Sequence, residues 1–254
     1  MNTIDNIPAW GTYAPGGMGK LLVLARRLGL ARGAFKKTLA RLWAGLRLPV
    51  PVDIRYAGLK FRLHPWDNVV ENKMLFGSKL RDGSEIRKLE AFSGKGGVFL
   101  DIGANIGYYA LMAAHQGAAR VLAFEPNPTV YDRLRFNIEA NDLNGRIAAL
   151  PIALGDRVAT LNMAVTDRDL GGSHLGDAGA RPGTSISVQV QPLAKVLAQE
   201  GITGVDAMKI DVEGMEDAVL FPFFETSARR SWPRLVIIEH TSQKQWKRDI
   251  LAWM

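Results

Sequence analysis

The sequence predicts an α/β fold with a doubly wound, mostly parallel sheet. Two short apolar runs predict buried strands, and each run ends in a carboxylate. The first ends at Asp101 and the second at Glu125. A helical pattern follows each run, and strands that alternate with helices are typical of parallel sheets. The 254 residues suffice for a hydrophobic core without covalent staples, and the chain has no cysteine. Disulfides, thiolate zinc sites and a cysteine nucleophile are therefore excluded.

Residues 1–47 form a basic arm ahead of this pattern. The arm holds eight basic residues against the single acid Asp5, and it accounts for the whole net charge of +7. The basic residues are Lys20, Arg26, Arg27, Arg32, Lys36, Lys37, Arg41 and Arg47. Between residues 20 and 46 apolar residues, most of them leucines, recur three or four positions apart, which predicts a basic amphipathic helix or a broken pair of helices.

The arm has two expected roles. Its leucines can pack on the rest of the chain while its charges face water, or residues 20–47 can bind an anionic membrane surface. A nucleic-acid partner is not favoured, because the basic residues are not interleaved with aromatic ones.

Residues 48–97 are expected to pack on the core as a hairpin at 52–63, turning at Ala57-Gly58, and a helical stretch at 67–92 that breaks at Gly83. Residues 98–254 form the core. Its strands are predicted near 98–101, 120–125, 147–152, 205–210 and 234–239. Its helices are predicted near 106–116, 128–141, 192–200, 213–225 and 242–253. A long glycine-rich loop is predicted from Thr166 to Ser187, and loops of that length are often functional lids or disordered segments.

The turn after the first strand indicates a nucleoside cofactor. Its pattern is Asp101-x-Gly103-x-Asn105-x-Gly107, whereas a dinucleotide site has G-x-G-x-x-G. An acid in first place suits a cofactor with an amino-acid tail and no phosphate, because Asp101 can face an ammonium or a water bound to it. Glu125, at the end of the second strand, is placed to hold two ribose hydroxyls. These residues favour S-adenosylmethionine over NAD.

A third acidic turn, Asp211-Val212-Glu213-Gly214, follows the strand at 205–210. This strand is expected beside the first one, so Asp211 and Glu213 should enter the same crevice. The turn lacks the proline-rich tetrapeptide with which methyltransferases of this fold bind amines, and a hydroxyl acceptor is therefore favoured.

A base is useful for a hydroxyl acceptor, because the pKa of an alcohol lies far above 7. His240, after Glu239 at the end of the fifth strand, is the first candidate, and His174 in the long loop is the second. Asp211 and Glu213 are further catalytic candidates. No spacing indicates a metal site.

The chain resembles the FkbM-type S-adenosylmethionine-dependent methyltransferases over roughly residues 67–241. The matching motifs are Asp101 to Tyr109, Phe124 to Pro128, Ala153 to Asp156, Lys209 to Gly214, and Glu239-His240. The resemblance implies the class I methyltransferase fold, which is Rossmann-like, and O-methylation of a sugar, glycan or polyketide-type hydroxyl. The cofactor residues that we expect are Asp101, Gly103, Ala104, Asn105 and Gly107 at the methionine end, Glu125 with Pro126 at the ribose, Ala153 and Asp156 at the adenine, and Asp211.

One departure from the family concerns the C-terminal end. Members continue past the fifth strand to a closing antiparallel hairpin, and we expect this hairpin to be missing here. A bare sheet edge would result, which a second copy of the chain is expected to cover.

Two other functions stay open. They are a degenerate methyltransferase fold that serves as a membrane- or protein-binding module, and an RNA methyltransferase. No apolar run reaches the ~18 residues of a membrane span, and the N-terminal residues lack the basic-then-apolar pattern of a secretory leader, so secretion is not expected. We therefore expect a cytoplasmic protein, held at the inner membrane surface if the arm binds lipid.

Overall fold

The N-terminal part of the chain forms two helices, a hairpin and two further helices. The computed structural model describes residues 7–28, 34–48, 50–77, 83–93, 96–166, 169–175 and 184–254. The first elements are α1 (Gly17–Arg27), α2 (Ala34–Gly45), β1 (Val52–Tyr56), β2 (Leu59–Leu63), α3 (Val69–Phe76) and α4 (Gly83–Ser93). The predicted hairpin is confirmed, and its turn residues Ala57 and Gly58 have φ values of 49° and 86°. Positive φ at both positions matches the twist of the two strands.

The basic arm is a broken pair of helices, and residues 29–33 between them lie outside the described part. One face of each helix packs on the body, where Val23, Leu39 and Trp43 are buried. The Trp43 ring meets Phe76 of α3 edge-on at 5.9 Å between centroids. Arg26 is also buried, and its Nε donates to the Gly77 carbonyl at 3.1 Å.

The core is a five-stranded parallel sheet with helices on both faces. Its first five elements are β3 (Val98–Ile102), α5 (Tyr108–His115), β4 (Arg120–Phe124), α6 (Pro128–Ala140) and β5 (Ile147–Leu150). A second sheet, described below, contains β6 to β9. The chain then returns to the core with α7 (Leu193–Gln199), β10 (Ala207–Ile210), α8 (Glu216–Thr226) and β11 (Leu235–Ile238). The strand order is β11-β10-β3-β4-β5. Strand β10 lies beside β3 as predicted, so the order reverses between them and a crevice opens at their carboxyl ends.

A second, four-stranded sheet follows β5. Its strands are β6 (Ala153–Leu154), β7 (Ala159–Thr166), β8 (Asp169–Leu175) and β9 (Thr184–Gln191), in the order β6-β9-β7-β8. The predicted long loop from Thr166 to Ser187 is therefore wrong. In β9 the buried Val188 and Val190 alternate with exposed residues and pack against Met163 of β7. Residues 167–168 and 176–183 lie outside the described part.

The C-terminal segment departs from its predicted helix at 242–253. It contains a single 3-10 turn (Gln243–Gln245) and the short helix α9 (Ile250–Trp253). Two acids of α8 hold the intervening chain extended: Glu216 Oε2 accepts from Trp246 Nε1 at 2.6 Å, and Asp217 Oδ2 accepts from the Lys247 N–H at 2.8 Å. These bonds compete with the helical pattern and replace it.

Strand β11 ends the sheet on this side, and within the described residues it pairs with β10 alone. No helix in the described ranges is long and apolar enough to cross a bilayer.

Candidate cofactor and acceptor site

A cavity of about 900 Å³ lies at the carboxyl ends of β3, β4 and β10. The turns after these three strands form its floor, and residues of α2, α3 and β8 form the opposite wall. This is the place where doubly wound sheets bind their ligands.

The turn after β3 is shaped by Gly103, whose φ is 78°. Its N–H donates to the Phe124 carbonyl at 3.1 Å. A Cβ at this position would lie 1.9 Å from the carbonyl oxygen of Asp211, so the turn fits between β4 and β10 only as glycine. Asn105 also has a positive φ, 51°, and continues the turn along the cavity wall.

Asp101 is fully buried below this turn. Its Oδ2 accepts from the Ala110 N–H at 2.8 Å, whereas its Oδ1 has no hydrogen-bond partner among the described residues. Burial raises the pKa of this carboxyl to about 6, and the nearby Lys209 ammonium opposes the rise. An unsatisfied buried carboxylate oxygen needs a water or a ligand as its donor.

Glu125 follows β4 and lines the cavity. Its two oxygens accept from the backbone N–H groups of Asn105 and Asn127, each at 2.9 Å. Each carboxylate oxygen has a second lone pair, so both can also accept from ligand hydroxyls. Burial raises the pKa of Glu125 to about 7, although both backbone bonds lower it.

Lys209 and Asp211 form an ion pair on the floor of the cavity. The Lys209 Nζ lies 3.0 Å from Asp211 Oδ2 and 5.0 Å from the centre of the Tyr109 ring. Lys209 also stands opposite Asp101 in the β10–β3 register. Burial disfavours the ammonium, but Asp211 and Asp101 outweigh it, so the pKa of Lys209 is raised.

Sequence reasoning gave Lys209 no role. The signal was present, because residues two apart on a strand share a face, and Asp211 follows Lys209 at that spacing.

Strand β8 and the start of α3 close the cavity above the glycine turn. A Cβ on Gly171 would lie 2.2 Å from Asn105 Nδ2, so β8 runs directly against that side chain. The Leu170 N–H donates to the Asp67 carbonyl at 2.8 Å, and Asn127 Nδ2 donates to the Leu170 carbonyl at 3.1 Å. The segment predicted as a loop is thus a strand tied to both neighbouring walls.

The predicted site residues divide into two groups. The cavity lining includes Gly103, Ala104, Asn105, Glu125, Pro126, Ala153, Asp211 and Glu213. Asp101, Gly107, Asp156 and His240 are not part of that lining.

The second group has other surroundings. Gly107 caps α5 with φ 89° and packs against Leu134, and Asp156 is exposed beside Arg157. His240 is exposed. His174 pairs with Ala164 through the β8–β7 register, and its side chain lies outside the described part.

Further lining residues had no assigned role in the sequence analysis. They are Lys36, Lys73 and Glu85, which come from helices outside the motifs, Tyr109 at the end of the first motif, and Asp169 in the segment predicted as a loop. The Tyr109 hydroxyl donates to Glu85 of α4. No local pattern marks Lys36, Lys73 and Glu85, because the fold brings them to the cavity from distant parts of the chain.

The charged side chains of the cavity fit S-adenosylmethionine. Glu125, Asp211 and Glu213 line the cavity, and Asp101 is buried beside it. Acidic side chains outnumber lysines in the lining, where Lys36, Lys73 and Lys209 are the cations. Such a site favours a ligand with positive charge and hydroxyl groups, and it disfavours a pyrophosphate. Among the described residues no group of three or more acidic or histidine side chains is placed to hold a metal ion.

Comparison with known proteins agrees with this geometry. The family described as "Methyltransferase FkbM domain" matches residues 101–254. The chain is 30% identical over 186 residues to the 31-O-demethyl-FK506 methyltransferase FkbM of Streptomyces tacrolimicus, covering 61% of this chain and 66% of that protein. It is 29% identical over 150 residues to the methyltransferase sdnD of Sordaria araneosa, covering 48% of this chain and 58% of that one. The chain thus spans about three fifths to two thirds of these relatives' length.

Among solved structures, the methyltransferase FkbM of Methylobacillus flagellatus is similar at 19% identity and a TM-score of 0.35, over 49% of this chain and 28% of that one. The complex of PRMT6 with SAH is similar at 20% identity and a TM-score of 0.36, over 61% of this chain and 41% of that one. The family match, which covers more than half of the residues, carries the assignment. The chain belongs to the FkbM family of methyltransferases, whose methyl donor is S-adenosylmethionine.

Proposed function

We propose that the protein methylates a hydroxyl oxygen of a sugar, glycan or polyketide-type acceptor. The observation that carries the proposal is the turn after β10, where Asp211 and Glu213 line the cavity without a proline-rich amine clamp. The Streptomyces relative supports it, because its name specifies an O-methyl position.

In this proposal the chain's own residues bind the donor and orient it. Glu125 accepts from the ribose hydroxyls, and the buried Asp101 attracts the ammonium of the amino-acid tail through the glycine turn. Gly103 lets the turn after β3 pack directly against the Asp211 carbonyl, which holds the two turns of the site together. Bound S-adenosylmethionine supplies an electrophilic methyl group, so the protein's main contribution is positioning.

Glu213 is the proposed proton acceptor for the acceptor hydroxyl. Asp211 is engaged by Lys209, whereas the Glu213 side chain lines the cavity and makes no hydrogen bond among the described residues. Burial and the neighbouring carboxylates Asp211 and Asp169 raise the pKa of Glu213. A raised pKa makes a carboxylate a stronger base. His240 stays the alternative base proposed from the sequence.

The test is an isotope-transfer assay. The protein is incubated with S-adenosylmethionine that carries a deuterated methyl group and with a panel of sugars, glycans and macrolide polyols. Fragment mass spectrometry then locates the label. The proposal expects one deuterated methyl group on oxygen, and a label on nitrogen would overturn it. Donor binding with no transfer to any hydroxyl of the panel would favour the binding-module alternative.

A further inference from the structure

Helices α1 and α2 carry large apolar side chains on the side turned away from the core. We define this set as the outer face, and each member is between 45% and 70% exposed. The outer face consists of Met18, Leu21, Leu24 and Leu28 on α1 and its end, and Leu42 and Leu46 on α2 and its end. The α1 members recur at three- and four-residue spacing, so they form one stripe along the helix.

The outer face is separate from the packing that holds the helices to the body. Val23, Leu39 and Trp43 already supply the buried side of the two helices. An exposed apolar stripe of this kind marks a contact surface for a partner.

The exposed charges that the two helices and their ends carry are all of one sign. Lys20, Lys37, Arg41 and Arg47 are exposed. The sequence has no acidic residue between Asp5 and Asp53. Apolar side chains flanked by cations alone complement an anionic lipid surface, where acyl chains lie beneath negative headgroups.

The helix that carries part of the outer face also borders the active cavity. Lys36 of α2 lines the cavity, one residue before the exposed Lys37. Burial and the nearby Lys73 ammonium lower the pKa of Lys36. A surface that binds α2 would therefore lie close to the cavity wall.

We propose that α1 and α2 dock the protein on an anionic membrane surface, with the outer leucines in the interfacial region and the basic side chains against the headgroups. This docking does not depend on the proposed acceptor. Docking is measured by lipid binding and the proposed function by methyl transfer, so a failure of one is distinguished from a failure of the other.

The test is co-sedimentation of the purified full chain with two kinds of vesicle, phosphatidylcholine alone and phosphatidylcholine containing phosphatidylserine. Two variants remove the apolar and the charged part of the surface, Leu21→Gln with Leu24→Gln and Lys37→Glu with Arg41→Glu. Val158→Gln is the matched apolar control, since Val158 is 58% exposed outside the arm. Lys88→Glu with Lys195→Glu is the matched charge control, because both lysines are exposed on other helices.

The proposal expects binding that needs the anionic lipid and falls as salt rises from about 0.1 M to 1 M, where the Debye length shrinks from about 10 Å to 3 Å. Each arm variant should weaken binding about tenfold or more, and the controls should bind like the wild type. Equal binding to neutral vesicles would overturn the proposal, and so would equal losses in the controls. A dimer that dissociates in the Leu21→Gln/Leu24→Gln variant, with no vesicle binding, would assign the outer face to a second copy instead.

Discussion

Asn68 Nδ2 donates to Asn105 Oδ1 at 2.7 Å, which joins the start of α3 to the glycine turn after β3. The other end of the Asn68 amide caps α3, because its Oδ1 accepts from the N–H groups of Val70 and Glu71. One side chain thus fixes both a helix start and the turn that faces the cofactor.

Two substitutions at Asn68 separate these tasks. Asn68→Asp keeps an acceptor for the helix cap but removes the donor to Asn105, whereas Asn68→Ala removes both. We expect both variants to bind S-adenosylhomocysteine more weakly, and Asn68→Ala to lose in addition about 1 kcal/mol of unfolding free energy. Urea unfolding and calorimetric titration measure the two effects. Wild-type affinity in Asn68→Asp would show that the bond to Asn105 does not shape the turn.

Gly103→Ala should damage both the fold and the cofactor site. The added Cβ would meet the Asp211 carbonyl at 1.9 Å, and φ is 78°. We expect a loss of about 2 kcal/mol or more in the free energy of unfolding, because the backbone must shift. Gly145→Ala is the matched control, since a Cβ there meets nothing within 4 Å. Equal stability of the two variants would contradict the described turn.

The affinity for S-adenosylhomocysteine should rise with pH. Burial raises the pKa of Glu125 from 4.5 to about 7, and ribose hydroxyls donate best to the ionised carboxylate. The ionised fraction increases about tenfold between pH 6 and pH 8, so the affinity should rise by a similar factor. In Glu125→Gln the affinity should be lower and this rise should disappear. A rise of the same size in that variant would assign it to another group.

The same shift has the opposite effect on the stability of the ligand-free protein. Since the folded-state pKa of Glu125 lies above its unfolded value, the folded chain binds more protons between pH 4.5 and about 7. The stabilisation from this group is complete below pH 4.5 and is lost as the pH rises through 7. The melting temperature of the wild type should therefore fall relative to that of Glu125→Gln over this range.

Two variants test whether Glu213 or His240 is the proton acceptor. Glu213→Gln should lower turnover about a hundredfold, within the usual contribution of a general base, and leave binding of S-adenosylhomocysteine unchanged. His240→Ala should keep turnover near that of the wild type, because its side chain is exposed and not part of the cavity lining. The reverse pattern would support the sequence-based choice of His240.

The glycine turn and Glu125 were predictable because each lies within a short motif at the end of an apolar run. The position of β10 beside β3 was predictable from the strand order of doubly wound sheets. Strands β7 to β9 were not, because Gly171 and Gly172 are typical of loops. Strand β8 pairs with β7, its neighbour in the chain, and is also held by the distant Asp67, whose carbonyl accepts from the Leu170 N–H.

The contacts of the cavity walls were equally hidden from the sequence. Lys36 and Glu85 reach the cavity from helices outside the family motifs. The extended C-terminal segment is set by Glu216 and Asp217, whose hydrogen bonds to residues 246–248 outweigh a helical pattern.

The most direct measurement is a calorimetric titration of the full chain with S-adenosylmethionine, repeated with NAD and with Glu125→Ala. Binding should occur at one site, NAD should give no binding heat, and Glu125→Ala should lose most of the affinity, because the variant lacks the carboxylate that we propose as the acceptor for the ribose hydroxyls. Glu90→Ala, which removes an exposed carboxylate on α4, should bind like the wild type. Binding of NAD in place of S-adenosylmethionine, or full affinity in Glu125→Ala, would contradict the account.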